Sequence, residues 1–142
     1  MKEFFDSSVL VAAFYGAHVH HGASLAAIQT ATKKTAFCAA HTLAEVYSVM
    51  TRLPVRPRIS PDQGLLFIES IRERFTIVAL SDREYYEVIA AAAGQGIGGG
   101  RIYDALILRC AEKSKADAIF TWNLTDFRQL AAPELSSRIR TP

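Results

Sequence analysis

Short apolar stretches rich in β-branched and aromatic residues alternate along this chain with longer stretches of helical periodicity, and no other feature restricts its fold as much. Lys2–Phe5 reads as a strand ending at Asp6, and the apolar run Ser8–Tyr15 as the helix after it. A loop at His18–His21 leads into an Ala-rich helix that runs to about Thr32. Ala36–Ala40 is short and apolar, as a buried strand is. In Thr42–Leu53, Leu43, Val46, Tyr47 and Met50 recur at i, i+3, i+4 and i+7, the pattern of an amphipathic helix.

After the Pro-broken, Arg-rich link RLPVRPRISP, Ser60, Pro61 and Gln63 open a helix to about Arg74 with a capping box. Phe75–Leu80 is the next strand by its β-branched content. Ser81 with Glu84 caps a helix through Ala93. Gly94–Gly100 is a break, Asp104–Lys113 a helix apolar nearly all round and hence buried, and Ala118–Trp122 a fourth strand. NLTDF reads as a turn, and Arg138–Thr141 as a short edge strand. Strands alternating with helices give an α/β layer fold with a mostly parallel sheet. The length of 142 residues suits a single domain over 1–142.

Hydrophobic residues make up 50% of the chain and charged residues 21%, the balance of a globular protein rather than a disordered one. A net charge of +2 permits a polyanionic partner without demanding one. Cys38 and Cys110 sit in apolar runs and read as buried free thiols, with no zinc-like spacing. The N-terminal apolar stretch is broken by Asp6 too early for a signal-peptide core, and no run approaches the roughly 20 apolar residues of a membrane span. The expectation is a soluble protein of the reducing cytoplasm.

The acids carry the functional signal. Asp6 lies just past the first strand, Glu45 in the first turn of the helix after the second, and Asp104 at the head of the buried helix that leads to the fourth. Asp126 follows the fourth strand, with Asn123 beside it. In an open parallel sheet, ligands bind outside the carboxyl ends of the strands, near the point where strand order reverses. These residues can reach that edge, Asp104 provided its helix packs alongside. Carboxylates so gathered repel one another and need a cation among them. Oxygen-only ligands favour Mg²⁺ or Mn²⁺ over zinc or copper. Each acid also has a plain structural explanation: Asp6 as a helix N-cap, Thr42 and Glu45 as a capping box, Asp104 as a helix-head acid, Asp126 as a turn acid. Their joint position at one sheet edge is what those explanations leave over.

Other motifs carry less. Gly94, Gly96 and Gly99 satisfy G-x-G-x-x-G, but they follow an Ala-rich helix where a dinucleotide fingerprint needs a strand. His18, His20 and His21 lack the i, i+4 spacing of a helical metal pair, and a solvated loop or helix cap accounts for them. There is no G-x-S-x-G elbow, and Ser7-Ser8 has no evident partner base, which argues against a serine hydrolase. Arg52, Arg56 and Arg58, then Arg138 and Arg140, with Arg101 near the acids, read singly as solvated charge. As a set they can track a phosphate backbone, with weak and salt-dependent binding. Tyr103 and Trp122 can stack on bases, although core packing is the commoner fate of such residues. A receiver-like module that binds Mg²⁺ without catalysis is the competing class. Receivers pair acids after the first strand, whereas Asp6 stands single and a capping box explains Asp82.

FDSSVLVAAF, HTLAEVYSVMTRLP, IYDALILRCAEKSKADAIFTWN and NLTDF form an ordered set, and through them essentially the whole chain resembles the PIN-domain ribonucleases, in particular the toxin halves of VapC-type toxin–antitoxin pairs. The resemblance implies a three-layer fold with a sheet of order 3-2-1-4-5 flanked by helices, whose switch point lies between Asp6 and the Asn123–Asp126 turn. It implies that Asp6 and Asp104 are the principal metal-binding aspartates and Glu45 the helix glutamate that completes the acidic site. The fourth place falls to Asp126 before Asn123: many members carry Asp where this chain has Asn123, and others have Asn there and an acid three residues on, as here. Ser7, Ser8 and Thr121 match small hydroxyl positions near the family's site. Also implied are Mg²⁺- or Mn²⁺-dependent hydrolysis of RNA, a homodimer, and an antitoxin whose tail blocks the acidic groove, sometimes by inserting an Arg. A PIN-like domain that has lost activity and only binds a partner is the alternative that Asn123 leaves open.

Overall fold

Adjacent side chains of a strand point to opposite faces, so Phe4 and Phe5, both fully buried, anchor two separate halves of one core. The computed structural model describes residues 1–142. In chain order its elements are β1 (Glu3–Phe5), α1 (Ser7–Phe14), α2 (His21–Gln29), β2 (Ala36–Ala39), α3 (Ala40–Arg52), α4 (Pro61–Arg74), β3 (Thr76–Val78), α5 (Asp82–Gly94), α6 (Arg101–Ser114), β4 (Ala118–Phe120), α7 (Leu124–Leu130), α8 (Pro133–Ser136) and β5 (Ile139–Arg140). All five strands are parallel, in the order β3-β2-β1-β4-β5. Glu3 pairs with Ala36 on one side and Ala118 on the other.

On one face Phe4 packs with Ile107, Leu108, Ile119, Phe127 and Ile139, drawn from α6, α7 and the β4–β5 edge. On the other Phe5 packs with Val9, Leu10, Val46, Met50, Ile71 and Phe75 from α1, α3, α4 and the approach to β3. The Phe5 and Phe75 rings meet edge-on at 5.4 Å. Each such burial is worth about 1.5–3 kcal/mol relative to exposure. Cys38 and Cys110 are buried free thiols in opposite halves of the core, as expected. Burial pushes Cys38 up to about 12 and Cys110 up to about 11, so both stay protonated and unreactive.

The α/β class, the parallel sheet and the order 3-2-1-4-5 match the expectation. A receiver-like sheet would run 2-1-3-4-5, so that class is ruled out by the strand order. Three local expectations change. Helix α3 starts at Ala40, directly from β2, with Ala39 at its N-cap and no side-chain cap. Glu45 therefore lies in the second turn, and the Thr42–Glu45 capping box does not form. Helix α6 starts at Arg101, so Asp104 lies inside its first turn rather than at a cap. NLTDF is not a bare turn. It opens helix α7, which closes over the sheet through the fully buried Phe127.

Candidate active site

Asp6 leaves β1 at the carboxyl edge of the sheet, where its amide donates to the Phe120 carbonyl at the end of β4 (3.0 Å). The two strands thus deliver Asp6 and Thr121-Trp122-Asn123 to one place, the switch point of the sheet. Asp6 is the N-cap of α1, its Oδ2 accepting from the Ser8 amide at 3.4 Å. That same Oδ2 accepts from Ser8 Oγ (2.8 Å) and Thr121 Oγ1 (2.9 Å). The Trp122 amide donates to Ser8 Oγ (3.0 Å) and the Asn123 amide to Thr121 Oγ1 (3.0 Å), so the hydroxyls are themselves held in place. Capping and site-building are one role here. No hydroxyl reaches Asp6 Oδ1.

Glu45 comes from the second turn of α3. Ser7 Oγ donates to its Oε1 (2.8 Å) and lies 3.3 Å from Thr42 Oγ1, a fully buried hydroxyl beneath the pair. His41 Nε2 stands 3.9 Å from the same Oε1. Asp104 enters from the first turn of α6. Asp6, Glu45, Asp104 and Asn123 line one open cleft of about 320 Å³, with Ser7, Ser8, His18 and Trp122 around them. Asp126 does not line it. Its side chain is exposed on the first turn of α7.

The electrostatics show a site short of positive charge. Burial pushes the Asp6 carboxyl up, against the hydroxyls of Ser8 and Thr121 and the amides of Ser8 and Ser7. Burial likewise raises Glu45, with the Asp6 charge adding to it and the Ser7 hydroxyl and His41 opposing it. Asp104 is raised to about 6, first by burial and then by the charges of Asp6, Glu45 and Asp126, with Arg101 only partly offsetting them. Burial is the largest cause in all three, and like charges add to it at Glu45 and Asp104. No three His, Cys, Asp or Glu side chains converge tightly enough to enclose an ion by themselves. A Mg²⁺ ion needs no such cage, because it keeps several waters and takes one or two carboxylates. The oxygen donors, the excess negative charge and the open cleft therefore fit a hydrated divalent cation.

Of the residues picked from the sequence, Asp6, Glu45, Asp104, Asn123, Ser7, Ser8 and Thr121 come together, and Asp126 acts only at a distance, through its charge on Asp104. Thr42, His18 and His20 were not picked as site residues. Thr42 signals as a cap, and the histidines as a solvated loop. In the structure His18 lines the cleft, and His20 stacks on Trp122 at 3.6 Å with the rings 6° apart. The Trp122 Nε1 donates to the buried Ser24 Oγ (2.8 Å), which fixes this wall of the cleft. Tyr103 is not core material: it is half exposed and lies parallel to His41. Arg138 donates to the Ala116 carbonyl, at the opposite end of the strands from the acids.

A PIN domain family model matches residues 4–133. Ribonuclease VapC27 of Mycobacterium tuberculosis is 34% identical over 113 residues, 79% of this chain and 78% of that protein. Ribonuclease VapC40 of the same organism is 32% identical over 135 residues, 95% and 92% of the two chains. The crystal structure of M. tuberculosis VapC20, a Sarcin-Ricin loop cleaving toxin, superposes with a TM-score of 0.68 over 88% of this chain and 92% of that one. At 12% identity that likeness speaks for the fold. The chain belongs to the PIN-domain family, and within it to the VapC type.

Proposed function

We propose that this protein is an endoribonuclease that hydrolyses RNA phosphodiester bonds with the help of Mg²⁺ or Mn²⁺, as the toxin of a VapC-type toxin–antitoxin pair. The observation that carries the reading is the meeting of Asp6, Glu45 and Asp104 in one open cleft at the sheet's switch point, with their mutual repulsion only partly offset by Arg101 and His41. Membership of a family whose similar proteins are named ribonucleases supports it. Asp6 and Asp104 would hold the ion, which when bound supplies Lewis-acid activation of water and neutralises charge developing on the phosphate. Ser8 and Thr121 keep Asp6 Oδ2 engaged, which leaves Oδ1 as the oxygen that would take the ion. Ser7 fixes Glu45 by Oε1, which leaves Oε2 to orient the attacking water or take its proton. Asn123 contributes at the cleft as a neutral group, and Asp126 tunes Asp104 through its charge.

The same reading takes the chain as one PIN domain over 1–142, a homodimer of the cytoplasm whose acidic groove is covered by a cognate antitoxin. No helix is long and apolar enough to cross a membrane. A binding-only PIN domain is favoured by one observation, the neutral Asn123 at the cleft. Incubating total RNA with the protein, in Mn²⁺ and in EDTA, separates the two readings. Cleavage in Mn²⁺ and none in EDTA is expected. A rise in melting temperature with Mn²⁺ but intact RNA would establish the binding-only module.

A further inference from the structure

A second hollow adjoins the acidic cleft, and its chemistry differs. It has about 360 Å³ and is lined by His41, Ala44, Glu45, Ser48, Val49, Arg52 and Tyr103. Glu45 and Val49 belong to both hollows, so the two are continuous across one turn of α3. Tyr103 immediately precedes Asp104 on α6 and is 50% exposed. Its ring is within 2° of parallel to that of His41, with centroids 5.1 Å apart. The two rings stack on each other with an offset, His41 held from α3 and Tyr103 from α6, so a base can add to an outer face of the stack. Arg52, exposed at the end of α3, enters none of the chain's three ion pairs. Its guanidinium is free for an anion.

An aromatic face beside an uncommitted cation is how proteins hold single-stranded nucleic acid: the base stacks, and the phosphate meets the charge. A core explanation for Tyr103 fails on its exposure, and no carboxylate accounts for Arg52. We propose that Tyr103, His41 and Arg52 form a subsite for one unpaired nucleotide next to the phosphate that is cut. The proposal rests on the ribonuclease reading and adds to it the three residues that hold a nucleotide beside the cut. Stacking is tolerant of base identity, so the subsite sets strandedness rather than sequence.

Binding of a labelled twelve-nucleotide oligoadenylate, and of an abasic strand of equal length, tests this in the Asp104→Asn background, where the strand is expected to stay intact. Adding Tyr103→Ala should weaken oligoadenylate binding about ten-fold, leave the abasic strand unaffected, and be reversed by Tyr103→Phe. Adding Arg52→Ala should lower the slope of log affinity against log salt by about 0.7 on both strands, the loss of one phosphate contact. Unchanged affinity in the Tyr103→Ala protein, or an equal loss on both strands, overturns the subsite. A gel of wild type and Asp104→Asn in Mn²⁺ keeps the parent reading separate. If both cut RNA equally, the catalytic assignment falls while the binding comparison, run in EDTA with the strand checked for integrity, still decides the subsite.

Discussion

Asp104 shows what a carboxylate costs when it faces others across a cleft. Its ordinary value is 3.8, and burial with the charges of Asp6, Glu45 and Asp126 raises it to about 6. A carboxyl raised on folding binds its proton more tightly in the native state than in the unfolded one. Its favourable term is present below the unfolded value and is lost as pH climbs through about 4 to 6. Metal-free protein should therefore melt lower at pH 7.5 than an Asp104→Asn variant, by a few degrees, with the gap closing near pH 4. Thermal melts in EDTA read this directly, and an equal or lower melting temperature for Asp104→Asn at pH 7.5 would refute the crowding of charge. Thr121→Val removes a donor from the buried Asp6 Oδ2 while keeping shape. It should cost about 1.5–3 kcal/mol of stability and weaken Mn²⁺ binding about 10–100-fold, as calorimetry would record. Asp6, Glu45 and Asp104 were legible because each follows a strand or sits on a helix beside one. Thr42 was not, since a buried hydroxyl and a capping hydroxyl look alike until the helix start is known.

At the scale of elements, legibility followed local chemistry. Ser60 with Gln63 and Ser81 with Glu84 form capping boxes as their spacing predicts. The starts of α3 and α6 carry no side-chain cap, and the capping-box spacing of Thr42 and Glu45 points to a false start for α3. Helix α7 is short, and burial of Phe127 rather than propensity holds it, so NLTDF reads locally as a turn. Ser81→Ala should cost about 0.5–2 kcal/mol by denaturant titration. Glu84 is bonded to Lys113 and to its capping partners, which hold its carboxyl down at about 2. Its contribution is present above the ordinary value of 4.5 and fades as pH falls toward 2. Helices α3 and α4 touch at Gly64, where an added Cβ would meet Thr51 Cγ2 at 2.8 Å. Gly64→Val should destabilise the protein by about 1–3 kcal/mol, visible as a melting temperature several degrees lower. An unchanged melting temperature would mean the two helices pack less closely.

For the molecule as a whole, the strand order is the decisive fact. Placing β1 between β2 and β4 brings a residue from the start of the chain against the Thr121–Asn123 segment, and α3 and α6 converge on the same edge from either side. Alternating strands and helices announce a parallel sheet, but alternation alone does not order it. That order entered through the resemblance of the whole motif set. The fourth corner of the site stayed open for the same kind of reason: Asn123 and Asp126 are three residues apart, and only the unforeseen α7 decides which faces the cleft. The direct test of the whole is Mn²⁺-dependent cleavage of RNA by wild type and by Asp104→Asn, both checked for cooperative melting. A loss of about 100-fold or more in a folded variant is expected. Equal cleavage by the two proteins, or cleavage indifferent to EDTA, would contradict a metal-dependent nuclease built on these carboxylates.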